Sequence, residues 1–239
     1  LTDYDYIDAD GLLIVLLLGN LLRRNGKSLW LELPNNRRML TYLVHSDFTS
    51  IARSVFSIAN LYSLDGISRN HGNALNPDQF WLINVSNLDR LLTFSTYTLQ
   101  RIMANSLREE VASQIVYEII GPFITVIRET TRNIVQHSDV KEGEGQGYFA
   151  ISSRTIRNEP HLYCSIGDTG IGLKKSLLAK NIVINNDSEA IIHALLYRYT
   201  HAEGQGLFRA ILAASKLKTI IKIRSGNAEA NIHLDAVSL

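Results

Sequence analysis

The chain of 239 residues has little of several things, beginning with a single cysteine, Cys164. One thiol builds neither an internal disulfide framework nor a cysteine-based zinc cluster. It fits a reducing, cytoplasmic compartment. An excess charge of either sign is also missing: 24 Lys and Arg stand against 23 Asp and Glu, for a formal charge of +1. A general nucleic-acid binder would show a clustered basic surplus, so nucleic acid is not the expected partner. Long apolar runs are missing too. The longest, Leu12 to Leu18, extends past Gly19 and Asn20 to Leu22 and is closed by Arg23-Arg24. That is about half of the ~20 residues a bilayer-spanning helix needs, so no membrane partner is expected. Asp3, Asp5, Asp8 and Asp10 precede the run where a signal peptide would be basic. There is no internal repeat and no low-complexity tract.

What is present is 46% hydrophobic residues, enough for a core without disulfide or metal staples. The length allows one or two domains. Tyr4 to Ile7 reads as a short strand. Asp8-Ala9-Asp10-Gly11 reads as a turn whose carboxylates cap a helix over Gly11 to Arg24. That helix is apolar almost all round, which predicts burial on several sides. Ser28 to Leu33 alternates as a strand does, Pro34-Asn35-Asn36 breaks it, and Arg37 to Val44 is helical in pattern. Strand and helix alternating this closely imply a small α/β layer.

Residues 65 to 79 are polar and rich in Asn and Gly, the best candidate linker. A boundary there gives domains over residues 1–79 and 80–239. Phe80 to Val85 is a candidate strand, and Leu88 to about Ile120 carries helical spacing. Gly121-Pro122 predicts a helix end and a new start, with the next helix over Phe123 to His137. Lys141 to Gly147 reads as a loop, and Tyr148 to Arg154 and Leu162 to Ile166 as strands. Asp187-Ser188 is placed to cap a helix over Glu189 to Tyr199. Gly206 to Lys216 is a further helix. Thr219 to Arg224 and Asn231 to Val237 are two last strands around Ser225-Gly226-Asn227.

Three motifs in the second half carry chemistry. Glu129, Asn133 and His137 are spaced by four. Each step of four advances about 40° beyond a full turn, so the three share one helix face, with Ile127 roughly opposite. A carboxylate, an amide and an imidazole in a row can hold Mg²⁺, position water and meet a phosphate; an exposed polar face would look the same. Asp168-Thr169-Gly170-Ile171-Gly172 follows an apolar strand. The Asp can accept from an exocyclic amine, and the glycines let a flat ligand approach; an ordinary strand-leaving turn would look the same. Gly204-Gln205-Gly206 opens a helix, whose free N–H groups can cradle a phosphate.

Their order and spacing over residues 95 to 239 resemble the GHKL nucleotide-binding fold of gyrase, heat-shock chaperones, histidine kinases and mismatch-repair ATPases. Thr-Arg-Asn-Ile-Val-Gln-His-Ser and Ser-Ile-Gly-Asp-Thr-Gly-Ile-Gly look closest to the anti-sigma-factor kinases. The resemblance implies a fold class of α/β with a C-terminal two-layer sandwich. It implies ATP and Mg²⁺ as cofactors. Asn133 would ligate Mg²⁺, and Glu129 would be the catalytic base toward water or a partner's hydroxyl. Asp168 would bind the adenine amine, Gly170 and Gly172 would line adenine and ribose, and Gly204 and Gly206 the phosphates. His137 would reach a phosphate or end the helix. Thr200, His201 and Glu203 fall in the lid, which is shorter than in many relatives. Asn231 falls where the family often has Thr beside adenine. No phosphoacceptor-histidine hairpin is evident, against a complete two-component kinase.

Residues 1 to 60 resemble a STAS-type domain, the anti-sigma antagonist fold, which would form an N-terminal α/β layer. Regulated members carry a phosphorylatable Ser where this chain has Ala9, followed by Asp10. The module would then dock constitutively. Together these likenesses imply a Mg-ATP-binding regulator acting on a protein partner, a regulator or a sigma-factor-like target, by hydrolysis or Ser/Thr phosphotransfer. A homodimer stays open. The alternatives are a scaffold with a vestigial nucleotide site and a DNA-topology or repair ATPase domain.

Overall fold

The structure, a computed structural model, describes residues 7–60, 64, 66–67, 79–83, 88–106, 109–137, 147–157, 159–196 and 206–234. The described residues form a mixed α/β architecture of eight helices and seven strands. The strands lie in three separate small sheets rather than in one continuous sheet. Contacts divide the chain into two units that interleave along the sequence, residues 1–84 with 147–169, and residues 85–146 with 170–239.

In the first unit, helix α1 (Ala9–Arg24) is N-capped by Asp8, whose carboxylate accepts from the Gly11 N–H at 2.9 Å. The expected turn over Ala9 to Gly11 is therefore already helix. Asp10 in the first turn and Arg23 and Arg24 in the last match the helix dipole. Burial on several sides is not what forms. Leu12, Leu13 and Leu16 are at most 5% exposed, while Ile14, Leu18 and Leu21 are 46–53% exposed. An apolar composition supplied two candidate faces, and the fold covers only one.

Strands β1 (Trp30–Leu31) and β2 (Ser57–Ile58) pair in parallel. The strand expected over Ser28 to Leu33 is cut short because a side chain takes over the pairing. Buried Asn60 accepts from the Leu33 N–H at 2.9 Å and donates to the Leu33 carbonyl at 3.1 Å. Helices α2 (Arg37–His45) and α3 (Phe48–Ala52) follow β1, and Leu43 and Phe48 join Leu12, Leu16 and Leu33 in the core.

Strands β3 (Gln79–Ile83), β4 (Gly147–Ile156) and β5 (Glu159–Asp168) make an antiparallel sheet in that order. The β4–β5 hairpin is longer than its sequence pattern predicts. Pairing runs from Gly147↔Asp168 to Ile156↔Glu159 and leaves a two-residue connection, with Arg157 left-handed at φ 52°. Helix α1 packs on β4 and β5, and Tyr148 of β4 belongs to the same core as Leu12 and Leu16. Burial raises the Tyr148 hydroxyl to about 12 against the opposing pull of Arg23 and Arg24. Withdrawal from water, then the Asp10 carboxylate, push the Cys164 thiol well up, which keeps it protonated and unreactive.

In the second unit, α4 (Leu88–Ser106) is followed by α5 (Glu109–His137), a helix of 29 residues. The break expected at Gly121-Pro122 does not occur: α5 runs through it. Proline removes one helical donor and crowds the residue before it. That residue is Gly121, which has no Cβ to clash. Ile120, Ile124 and Ile127 are buried around the proline and hold the helix together.

Helices α6 (Gly172–Leu178), α7 (Asp187–Leu196) and α8 (Gly206–Ala214) precede the hairpin of β6 (Thr219–Ser225) and β7 (Ala228–Leu234). The cap of α7 is shifted by one residue from the expected Asp187-Ser188. Asn186 accepts from the Glu189 N–H at 2.8 Å, and Glu189 accepts from the Asn185 N–H at 2.8 Å, one residue before the N–H that a capping box would use. Those bonds, backbone first, hold the Glu189 carboxyl below its ordinary range. Asp187 is used elsewhere, accepting from the Asn227 N–H in the β6–β7 turn at 3.0 Å. The expected strand over residues 4 to 7 and the linker over residues 65 to 79 fall almost wholly outside the described residues.

Asn60 gives a test of the first unit. Asn60→Leu leaves the buried N–H and carbonyl of Leu33 without their partner, and an orphaned buried group costs ~1–3 kcal/mol. Urea unfolding of the variant should show a loss of that size, and parental stability would contradict the role given to this amide.

Candidate functional site

The stripe on α5 is the natural starting point. Glu129 and Asn133 lie one turn apart and are both half-buried, and His137 is the last residue of the helix. The same helix buries Ile127, Thr131 and Ile134. The hydroxyl of Thr131 is returned to its own helix, donating to the Ile127 carbonyl at 2.7 Å. The polar stripe thus borders a packed face.

Helix α8 packs along α5. Gly206, Ala210 and Ala214 are its buried residues, a stripe of small side chains at helical spacing. The approach is closest at the first of them. A Cβ built on Gly206 would lie 2.5 Å from Asn133 Oδ1 and 2.8 Å from its Nδ2. The Asn133 amide therefore rests directly on the backbone where α8 begins. Four N–H groups at the start of a helix have no partner within it, and the dipole places partial positive charge there. A hard amide oxygen beside such an end is a donor set that suits a magnesium ion with phosphate. The second unit thus brings Asn133 and Gly206 together.

The other expected residues are placed as follows. Gly170 and Gly172 belong to the second unit as well. Gly172 opens α6 at φ 76°, a conformation that side-chain-bearing residues rarely adopt. The next N–H, of Leu173, donates to Ser225 Oγ at 2.9 Å and ties this turn to the end of β6. Asp168 belongs to the first unit, where it ends β5 and is exposed. Asn231 lies exposed in β7 and donates to Glu229 Oε1 at 3.2 Å. Arg224, then Lys222, hold that Glu229 carboxyl down to about 2. Gly204, Thr200, His201 and Glu203 lie outside the described residues. Among the described residues no cluster of three or more His, Cys, Asp or Glu side chains could hold a metal ion.

Comparison with protein families, with curated proteins and with solved structures finds no match to this chain. No helix among the described residues is long and apolar enough to cross a membrane.

Sequence reasoning missed the partners that hold these turns. Ser225 on the Leu173 N–H and Asp187 on the Asn227 N–H act across 52 and 40 residues. No local pattern announces a contact at that separation.

The Asn133–Gly206 approach can be tested by a double-mutant cycle. Gly206→Ala should destabilise the chain by ~1–3 kcal/mol, the usual range for overpacking. In an Asn133→Ala background most of that loss should vanish, because the obstructing amide is gone. An equal loss in both backgrounds would show that the two residues do not touch.

Proposed function

We propose that the chain is a Mg-ATP-binding regulator of the GHKL type that acts on a protein partner by ATP hydrolysis or Ser/Thr phosphotransfer. One observation carries the reading: the Asn133 amide set against Gly206 at the start of α8. It joins the residue with metal-binding chemistry to the helix end with phosphate-binding chemistry. In this reading residues 1–79 are the STAS-like docking module, and residues 80–239 carry the nucleotide fold.

Asn133 Oδ1 would be the protein's ligand to magnesium. Phosphate oxygens and water would complete the shell, as is usual for this ion. Bound magnesium would neutralise charge on the phosphates. The backbone at Gly206 would meet phosphate oxygens. Asp168 would accept from the adenine amine, and Gly170 and Gly172 would keep the chain low beside the base. Glu129, one turn before Asn133, would take the proton from the attacking oxygen as it bonds to the γ-phosphorus. The bond from γ-phosphorus to the bridging oxygen breaks, and ADP leaves. The attacker is water in hydrolysis or a Ser/Thr hydroxyl of the partner in transfer.

A second reading has its own observation. Ile14, Leu18 and Leu21 form an exposed apolar stripe on α1, as an interaction protein with a vestigial nucleotide site would also have. The near-even charge favours either reading over a DNA-topology ATPase.

Glu129→Ala separates them. A base that acts mainly in the transition state is lost from turnover and not from ground-state binding. The variant should hold ATP at parental affinity while phosphate release or transfer falls ~10²–10⁴-fold. Unchanged turnover would make Glu129 an ordinary polar helix residue, and an absence of nucleotide binding in the parent would leave the scaffold reading.

A further inference from the structure

On the exposed side of α1, Ile14, Leu18 and Leu21 follow one another by four and then three residues, and Gly11 precedes them by three. Alternating steps of three and four make the a and d seam of a coiled coil, narrower than the face by which a helix joins a globular core. The core face is already present on the opposite side of the helix, where Ala9, Leu12, Leu13 and Leu16 are buried. Helix α1 therefore has two apolar faces, one filled by its own unit and one spaced for a second helix.

The flank of the seam identifies that helix. In the same heptad Asp10, Leu17 and Arg24 occupy successive g positions. Both charged residues are exposed, and both side chains are directed to the same flank, toward β5 of the same unit. The Asp10 carboxylate accepts from the Ser165 hydroxyl, and the Arg24 guanidinium donates to the Thr169 carbonyl at 3.2 Å. Gly167, between those two, rests on Leu17. A carboxylate has two accepting oxygens and a guanidinium five N–H donors, so a bond within the chain does not exhaust either.

We propose that the exposed face of α1 is a dimer interface, closed by antiparallel pairing with α1 of a second copy. In an antiparallel pair related by a two-fold axis, a meets d and g meets g across the seam. Leu18 then meets Ile14 of the second copy, Leu21 meets the small Gly11, and Leu17 meets Leu17. Asp10 meets Arg24 of the second copy at each end, so the surface is complementary to itself in charge as well as in shape. A parallel pair would set g against e, leaving Asp10 beside Val15 with no opposite charge. The interface lies within the first unit and does not depend on the nucleotide reading.

Sedimentation equilibrium of the full chain should show monomers in exchange with dimers. The seam is about three turns long, small against the ~1,200–2,000 Å² that stable interfaces bury, so dissociation is expected in the micromolar range. Leu18→Glu, at an exposed position, should unfold at the parental temperature and weaken the dimer at least about tenfold, because its carboxylate would be buried against Ile14. Trp30→Glu, at an exposed apolar residue outside the stripe, should leave dimerisation unchanged. Charge reversal reads the direction of pairing. Asp10→Lys sets like positive charges at both ends of its own dimer, and Arg24→Glu sets like negative ones. At low salt each variant alone should associate about tenfold more weakly than the parent, and an equimolar mixture should recover, since both ends of the mixed pair again hold opposite charges. Each substitution also breaks a bond to β5, but that loss is the same in the mixture, so recovery on mixing reports the pairing alone. A parent that stays monomeric throughout the micromolar range would overturn the inference; if Leu18→Glu then also lowers its melting temperature, the stripe is covered within the chain. A dimer that survives Leu18→Glu, or a mixture no tighter than its components, would overturn it as well.

Discussion

Close approach of one backbone to a neighbouring element is the constraint on which both units depend. In the first, β5 can lie on α1 only because Gly167 offers no side chain to Leu13 and Leu17. In the second, α8 can reach α5 only because Gly206 yields its place to the Asn133 amide and Ala210 and Ala214 continue the small stripe. Each contact fixes a helix or strand end that carries candidate chemistry. Packing and site are therefore not separable here. The residue that lets two elements meet is next to, or is itself, a residue with a proposed role.

The parts of the fold that were legible in the sequence are those governed by local rules. Asp8 caps α1 as its position predicted, and Glu129, Asn133 and His137, spaced by four, fall on one continuous helix. The β6–β7 turn forms at Gly226 and Asn227, inside the turn expected from Ser225-Gly226-Asn227. The misreadings share a cause: tertiary packing overrode a local signal. Gly121-Pro122 is punctuation in isolation, but buried isoleucines on either side keep α5 whole. Asp187 is a good capping residue taken by the Asn227 N–H, so Asn186 caps instead. The run from Leu12 to Leu22 is apolar on two faces, and nothing in it says which one the fold covers.

The candidate site was legible as a set of residue types but not as an assembly. Asn133 and Gly206 are 73 positions apart, and their contact is set by the small stripe of α8. The partners of Asn20 and Arg24 were invisible, because an Asn and an Arg ending an apolar helix read as a polar terminus. Their bonds to Thr169 span 149 and 145 residues. The exposed stripe of Ile14, Leu18 and Leu21 lies on the same α1 helix that grips Thr169. The helix that would meet a partner in the second reading thus also holds the turn that leaves β5.

The central claim is that Asn133, resting on the start of α8, makes a site for magnesium and nucleotide together. The most direct test is calorimetric titration of the purified chain with ATP, with Mg²⁺ and then with EDTA in its place. The account predicts one ATP bound per chain, with affinity that falls by at least tenfold when Mg²⁺ is withdrawn. Affinity that is the same with and without Mg²⁺, or no heat of binding in either, would contradict it.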